Sequence, residues 1–175
     1  QNAIELIADE VGTIQKISSV YKTDAIGFDG DEFLNAVIKV STYLPPDTLM
    51  RTLLELEKKI GRIRTEKKQY SNRVIDLDIL LFDNEINFSK IVIVPHPKML
   101  DRKFVMVPLV EIAANKIHPI EKKQLNSCLL NCSDSSEIIK IEDELVRPVS
   151  ISEKYNYIAI EGNIGAGKTS LAKMI

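Results

Sequence analysis

The stretch RVIDLDILLF, residues 73–82, places two aspartates inside an otherwise apolar run. A short run of this kind is typical of a β-strand, in which successive side chains point to opposite faces of the sheet. With that alternation Asp76 and Asp78 share one face, and the opposite face is entirely apolar. The segment is therefore either a half-exposed edge strand with solvated acids, or a carrier of ligands for a hard divalent cation such as Mg²⁺.

A basic loop leads directly into this strand. Between residues 62 and 73 it contains only one acid, Glu66, against five cations: Arg62, Arg64, Lys67, Lys68 and Arg73. A run of like charges is usually a solvated surface. Arginine, however, suits bidentate contacts with phosphate, and cations beside a metal-binding acid pair are the usual arrangement in phosphoryl transfer. The mutual repulsion of these charges also predicts that loop 62–72 moves without ligand and closes over a bound nucleotide.

A third candidate element follows the strand, in the segment VPHPKMLDRKF (residues 94–104). His96 stands between two prolines, which restrict the backbone on both sides. Arg102 follows six residues later. A rigidly held histidine with a nearby arginine adds to the evidence for an anion-binding site.

Composition narrows the class of protein. The 175 residues include 23 Lys and Arg against 25 Asp and Glu, so net charge does not favour a nucleic-acid or membrane partner. No apolar run reaches the length of a membrane span. Cys128 and Cys132, with no secretory signal, predict free thiols and a cytoplasmic protein. His96 and His118 lack the spacing to these cysteines that a zinc site requires.

The order of predicted elements indicates an α+β fold with a largely antiparallel sheet. Residues 4–11 have helical spacing, and Gly12 predicts the helix end. The remaining predictions are strands at 16–22, 33–42, 73–82, 91–94 and 138–141, helices at 46–60 and 122–132, helical turns at 104–113 broken at Pro108, and a polar linker around 133–137. A ferredoxin-like βαββαβ core would need one more strand, before residue 1.

Four motifs together resemble a known family. FLNA, LLxLExxxGRxR, RxIDLDIL and VPHPxMxxRxFVxxPLxEIA, in this order and at these distances, are similar to 6-hydroxymethyl-7,8-dihydropterin pyrophosphokinase over about residues 2–133. The resemblance implies transfer of diphosphate from ATP to the hydroxymethyl group of the pterin in folate biosynthesis, with release of AMP and with two Mg²⁺ ions. The family begins with a strand and a loop of the type YLxLGSNLG, which this sequence lacks.

The resemblance also implies roles for individual residues. Asp76 and Asp78 would be the metal ligands and, with Arg62 and Arg73, the catalytic set. The contacts with the triphosphate would come from Arg62, Arg64, Arg73, His96 and Arg102. The pterin would bind the backbone of Thr23, Asp24 and Ile26, the amide of Asn35 and the ring of Phe104. Tyr70 stands where the family often has Trp.

The other end of the chain contains a second motif. YIAIEGNIGAGKTSLAKMI (residues 157–175) is a predicted strand, a complete G-x-x-x-x-G-K-T loop with Gly162, Gly167, Lys168 and Thr169, and a helix start. It resembles the opening of deoxynucleoside kinases. We therefore expect two domains: a pterin pyrophosphokinase at 1–150 that lacks its first strand, and the truncated start of a P-loop kinase at 151–175.

Two other functions stay open at this level. The nucleoside kinase could be the main activity. Alternatively, the first domain could be a non-catalytic binding module, since ferredoxin-like folds often serve that purpose. A further expectation concerns the missing strand. Residues 157–160 have a matching apolar alternation and a glycine-rich exit, so they could fill the vacant position, from the same chain or by strand exchange with a neighbouring chain.

Overall fold

The computed structural model describes residues 1–23, 32–62 and 74–149. In that part the chain forms four helices and seven short strands. In chain order they are α1 (Asn2–Glu10), β1 (Thr13–Ile17), β2 (Tyr21–Thr23), β3 (Phe33–Asn35), β4 (Ile38–Ser41), α2 (Pro46–Lys59), β5 (Asn87–Phe88), β6 (Ile93–Val94), α3 (Lys103–Ala113), α4 (Leu125–Leu130) and β7 (Ile139–Lys140).

All strand pairings in the described part are antiparallel. β1 pairs with β4, β2 lies between β3 and β7, and β5 pairs with β6. The predicted α+β class with antiparallel pairing is thereby confirmed, and the strand expected at 138–141 is present as β7. The finer ferredoxin-like arrangement remains a prediction.

The prediction of a single strand over 33–42 is wrong, because these residues form two strands, β3 and β4. The break lies at Val37, whose N–H donates to the hydroxyl of Ser18 while its carbonyl accepts the N–H of Ser18, each at 2.9 Å. This irregularity changes which residues face inward, since side chains alternate with period two. Leu34, expected on the buried face, is 63% exposed. The strand predicted over 16–22 is likewise divided, at residues 18–20.

Residues 74–82 are not part of a strand in the described structure, contrary to prediction. The alternation is nevertheless present: Asp76 and Asp78 are exposed, whereas Leu77 and Ile79 are partly or fully buried. Isolated bonds hold the segment in place of a ladder, including one from the N–H of His96 to the carbonyl of Leu80, at 2.9 Å. Local periodicity therefore predicted the two faces correctly but not the pairing, which depends on a neighbouring strand.

Two apolar cores lie on either side of this segment. The first joins α1, β1, β4 and α2 and includes Ile79; the second joins α3 and α4 around Met99 and Met106. Leu80 and Leu81 pack against the second core. The chain that carries the aspartates thus contributes successive residues to both cores.

Gly12 ends α1, as predicted, and allows a close approach between backbones. Its φ is +156°, and a Cβ placed there would lie 2.1 Å from the carbonyl oxygen of Ser41. Ser41 belongs to β4, which pairs with β1 immediately after Gly12. A residue without a side chain is therefore needed where the helix turns into the first sheet.

The helix α3 differs from prediction because it continues through Pro108. Proline removes one helical hydrogen bond and costs stability, but Met106, Pro108 and Leu109 are all buried in this helix. The apolar packing of that face holds the helix together across the proline.

The segment predicted as a polar linker is irregular and connects α4 to β7, as expected, but it also folds against the start of α3. A carboxylate oxygen of Asp134 accepts the N–H of Lys103 at 2.8 Å, and the other oxygen accepts the N–H of Ser136 at 2.9 Å. The ammonium of Lys103 in turn donates to the carbonyl of Ser136 at 3.0 Å. Asp134 thus satisfies one of the N–H groups that lack partners at a helix start.

His118 occupies a tight loop between α3 and α4. It is 3% exposed, and its Nδ1 accepts the backbone N–H groups of Ile120 and Glu121 at 3.3 and 3.1 Å. Burial lowers the pKa of His118, and the nearby carboxylate of Glu121 opposes this only in part. The neutral imidazole is therefore the form that the folded loop holds.

Three remaining predictions concern the state of the cysteines, the length of α4 and the presence of a membrane-spanning helix. Cys128, which is buried, and Cys132 are free thiols, as predicted. α4 is shorter than the predicted helix at 122–132. Among the residues described, no helix is both long and apolar enough to cross a membrane.

Candidate active site

Asp76 is paired with Arg62, which follows the C-terminal end of α2. A guanidinium nitrogen of Arg62 donates to Asp76 Oδ1 at 2.6 Å and also bonds to the carboxylate of Glu57. The Arg62 side chain is only 10% exposed, whereas that of Asp76 is 46% exposed. Burial alone would lower the pKa of Arg62, but the bonds and charges of Asp76 and Glu57 raise it. A fixed positive charge therefore stands behind the exposed carboxylate.

Glu57 is a site residue to which the sequence reasoning assigned no role. It is 1% exposed, and its Oε1 accepts the N–H of Leu77 at 2.8 Å in addition to its bond with Arg62. The sequence contained an indication that Glu57 is buried, because residue 57 lies beside the apolar stripe of α2, four residues after Leu53. A carboxylate on the buried face of a helix requires partners that satisfy it.

Asp78 and His96 border the same cleft. The cleft has a volume of about 280 Å³, and residues 89–93 of the β5–β6 hairpin form much of its wall. The His96 Nδ1 accepts the N–H of Lys98 at 3.2 Å, which leaves Nε2 as the donor of the neutral ring. Burial lowers the pKa of His96; Asp78 opposes this effect, and the charges of Arg102 and Lys98 add to it.

Arg102 and Phe104 lie at the start of α3. The guanidinium carbon of Arg102 is 5.7 Å from the centroid of the Phe104 ring, within the range of a cation–π contact. Arg102 is the residue immediately before the helix, and backbone turns join it to His96: the N–H of Met99 donates to the carbonyl of His96, and the N–H of Arg102 donates to that of Met99. The structure thus brings together two of the predicted phosphate-binding residues with the predicted aromatic one.

The predicted pterin-binding residues Thr23 and Asn35 lie on the paired strands β2 and β3, two positions apart in the register. The Asn35 Nδ2 donates to the Thr23 hydroxyl at 3.1 Å, and Thr23 is buried. The strands β2 and β3 pack against α3, the helix that begins beside Phe104. The hydrogen bond fixes the orientation of the amide, whose polar atoms are the kind of group that recognises a heterocycle.

Several predicted residues lie outside the described part of the chain. They are Asp24, Ile26, Arg64, Tyr70 and Arg73, most of the loop predicted to close over a nucleotide, and residues 150–175 with the P-loop motif and the strand proposed for exchange. Their predicted roles stay predictions.

The two aspartates suit a cation that is shared with a ligand. Asp76 and Asp78 are exposed on one side of the extended segment. Within the described ranges, no three or more His, Cys, Asp or Glu side chains converge on one point. Mg²⁺ is often held by one or two carboxylates together with substrate phosphates and water. The pair therefore fits such an ion, provided that a phosphorylated ligand supplies the other oxygens.

Comparison with known proteins places this arrangement in a family. Residues 1–114 match the family of 7,8-dihydro-6-hydroxymethylpterin-pyrophosphokinase. The chain belongs to this pyrophosphokinase family. Every site residue described above lies within the matched range, so the family prediction made from the four motifs is confirmed.

Individual relatives of the pyrophosphokinase support the same assignment. A 2-amino-4-hydroxy-6-hydroxymethyldihydropteridine pyrophosphokinase of Aquifex aeolicus is 43% identical over 124 residues, 70% of this chain and 76% of the relative. One of Bacillus subtilis is 42% identical over 101 residues, 57% of this chain and 59% of the relative. A folic acid synthesis protein, fol1, of Pneumocystis carinii is 35% identical over 149 residues, 85% of this chain but 19% of that protein.

Proposed function

We propose that this chain transfers a diphosphate group from ATP to 6-hydroxymethyl-7,8-dihydropterin and releases AMP. The observation that carries the proposal is the arrangement around the extended segment: two exposed carboxylates, with Arg62 bonded to Asp76 and His96 beside Asp78. Family membership supplies the substrates. In the reaction the pterin hydroxyl oxygen forms a bond to the β-phosphorus of ATP, and the bond from that phosphorus to the α,β-bridging oxygen breaks.

Two Mg²⁺ ions, when bound between Asp76, Asp78 and the phosphates, would neutralise the charge that develops on the transferred group. The remaining roles belong to side chains of the protein itself. Arg62 holds Asp76 in place, and Arg102 provides a second cation whose charge acts on His96. The Nε2–H of His96, whose Nδ1 is engaged by the backbone, can donate a hydrogen bond to a phosphate oxygen.

The pterin would bind between α3 and the sheet of β2 and β3. The Phe104 ring offers a face for stacking, and the Thr23–Asn35 hydrogen bond orients the amide that would read the edge of the heterocycle. The cation–π contact between Arg102 and Phe104 supports this arrangement, because it would keep the guanidinium proposed to bind phosphate next to the aromatic ring. The reacting hydroxymethyl group would then lie where the two sets of residues meet.

The test is an assay of AMP release from ATP that depends on both Mg²⁺ and hydroxymethyldihydropterin. We expect Asp78→Ala to reduce turnover at least about 100-fold without loss of stability, because the side chain is exposed and no packing is removed. Glu85→Ala removes an exposed carboxylate just after the same stretch of chain, and as the matched control it should keep normal turnover. Near-normal turnover in the Asp78 variant would contradict the assigned role.

We propose separately that residues 151–175 begin a P-loop nucleotide-binding domain. This rests on the motif from Gly162 to Thr169 alone, and the residues lie outside those that the structure describes. Phosphorylation of thymidine or deoxyadenosine by a protein that contains this segment, abolished by Lys168→Ala, would support it. AMP release dependent on the pterin should be the same in that variant, so the two activities can be separated.

A further inference from the structure

We propose that Glu57 is a positioning residue that holds Arg62 and the aspartate segment in a fixed mutual arrangement. The inference rests on the proposed function, because it assigns a role toward the site of that reaction. Glu57 itself is buried and is not expected to touch either substrate.

Glu57 connects three parts of the chain through named bonds. Its carboxylate accepts from the guanidinium of Arg62, and its Oε1 accepts the N–H of Leu77 at 2.8 Å. Its backbone carbonyl accepts the N–H of Arg62 at 2.9 Å, so both ends of Arg62 are tied to the same residue. Arg62 then bonds to Asp76 at 2.6 Å. The result is a closed loop of bonds from α2 to residues 76 and 77 and back.

Burial makes these bonds strong and makes their loss costly. The Glu57 side chain is 1% exposed and that of Arg62 is 10% exposed. A buried carboxylate is tolerated where hydrogen bonds and an opposite charge compensate for the lost water. Replacement of a whole buried ion pair by apolar side chains is often neutral or stabilising, so packing alone does not require the pair of Glu57 and Arg62 here.

The position of the bonds explains what the glutamate provides. Leu77 lies between the two aspartates, and residues 74–82 have no strand ladder in the described structure to fix their register. A bond to the N–H of Leu77 therefore fixes the position of the segment relative to α2, at the residue between the two carboxylates. Groups that orient functional side chains in this way typically change activity 10- to 100-fold when they are removed.

The experiment replaces Glu57 with glutamine, which keeps the shape and one oxygen acceptor but removes the negative charge. Oε1 of Glu57 accepts the bonds from both Arg62 and Leu77, and both bonds should weaken when that charge is lost. We expect Glu57→Gln to lower kcat about 10- to 100-fold, with KM for the pterin changed less than about threefold. The Mg²⁺ concentration for half-maximal rate should rise, because Asp76 is less well placed. Glu55→Gln, an exposed glutamate on the same helix, is the matched control and should behave as the unsubstituted protein.

A double-substitution cycle separates positioning from a general loss of structure. If Glu57 acts through Arg62, then Glu57→Gln should cost less than about threefold in kcat when Arg62 is already alanine. An equal loss in both backgrounds would show that Glu57 does not act through Arg62, and would overturn the proposed mutual arrangement. So would a normal kcat and Mg²⁺ dependence in the single variant.

A measurement independent of turnover uses the NMR signals of the Arg62 guanidinium and the Leu77 amide. In Glu57→Gln both should shift and exchange faster with water, whereas the amide of Leu53 on the same helix should keep its protection. If the unsubstituted protein releases no AMP, the proposed function fails, and this measurement then decides the inference by itself. Unchanged signals at Arg62 and Leu77 would refute it.

Discussion

Replacement of Asp134 by alanine should destabilise the protein by about 1–2 kcal/mol. Its two carboxylate oxygens accept backbone N–H groups from Lys103 and Ser136, at 2.8 and 2.9 Å. Loss of a side-chain cap at a helix start costs about 1 kcal/mol, and a further hydrogen bond contributes about 0.5–1.5 kcal/mol. For a chain of this size the melting temperature should fall by roughly 3–6 °C.

The pH dependence of this effect provides a second test. Partial burial raises the pKa of Asp134, but the bonds from Ser136 and Lys103 outweigh it and hold the pKa below its usual value. Because the folded-state pKa is the lower one, the contribution to stability is present at neutral pH and is lost as pH falls below about 4. The difference between the natural protein and Asp134→Ala should therefore shrink in acid.

The assay is urea unfolding followed by circular dichroism at pH 7 and at pH 3.5. Asp134→Asn retains one oxygen acceptor and should be intermediate. Asp101→Ala removes an exposed carboxylate beside the same helix start, and so measures the effect of charge alone. If Asp134→Ala and Asp101→Ala are equally stable, the capping bonds contribute nothing and the reasoning is refuted.

Three further substitutions test the fold. The folded-state pKa of His118 is below that of the unfolded chain, so stability should fall as the pH is lowered from about 7 to 5. In His118→Gln the urea midpoint should therefore depend less on pH. An unchanged dependence of the midpoint on pH would contradict this. Gly12→Ala should destabilise by about 2 kcal/mol or more, because the added Cβ meets the carbonyl of Ser41. Gly61→Ala, where φ is +104° but the space is open, should cost only about 1 kcal/mol by the same unfolding assay.

The sequence predicted those features that depend on local periodicity. The apolar stripe of α2 and the alternation around Asp76 and Asp78 are present as expected, because helical and extended backbones impose their own spacing. The motifs also pointed to Arg62, which bonds to Asp76, and to His96, which lines one cleft with Asp78; the roles of these residues stay predictions.

Features that depend on a distant partner could not be predicted. The break between β3 and β4 follows from a pair of bonds to Ser18, nineteen residues before Val37. The folding of Asp134 against α3 follows from its bond to Lys103, thirty-one residues away. The role of Glu57 likewise requires Leu77, twenty residues later. In each case the sequence shows a polar residue but not the donor that it meets.

The placement of residues 74–82 between the two cores has a thermodynamic consequence. Ile79 packs into the first core, and Leu80 and Leu81 pack against the second. A nucleotide that contacted Asp78, which precedes Ile79, and Arg102, which precedes the helix α3 of the second core, would link two separately packed units. Its binding energy would then add to the cohesion of the whole domain, and the melting temperature should rise with nucleotide concentration.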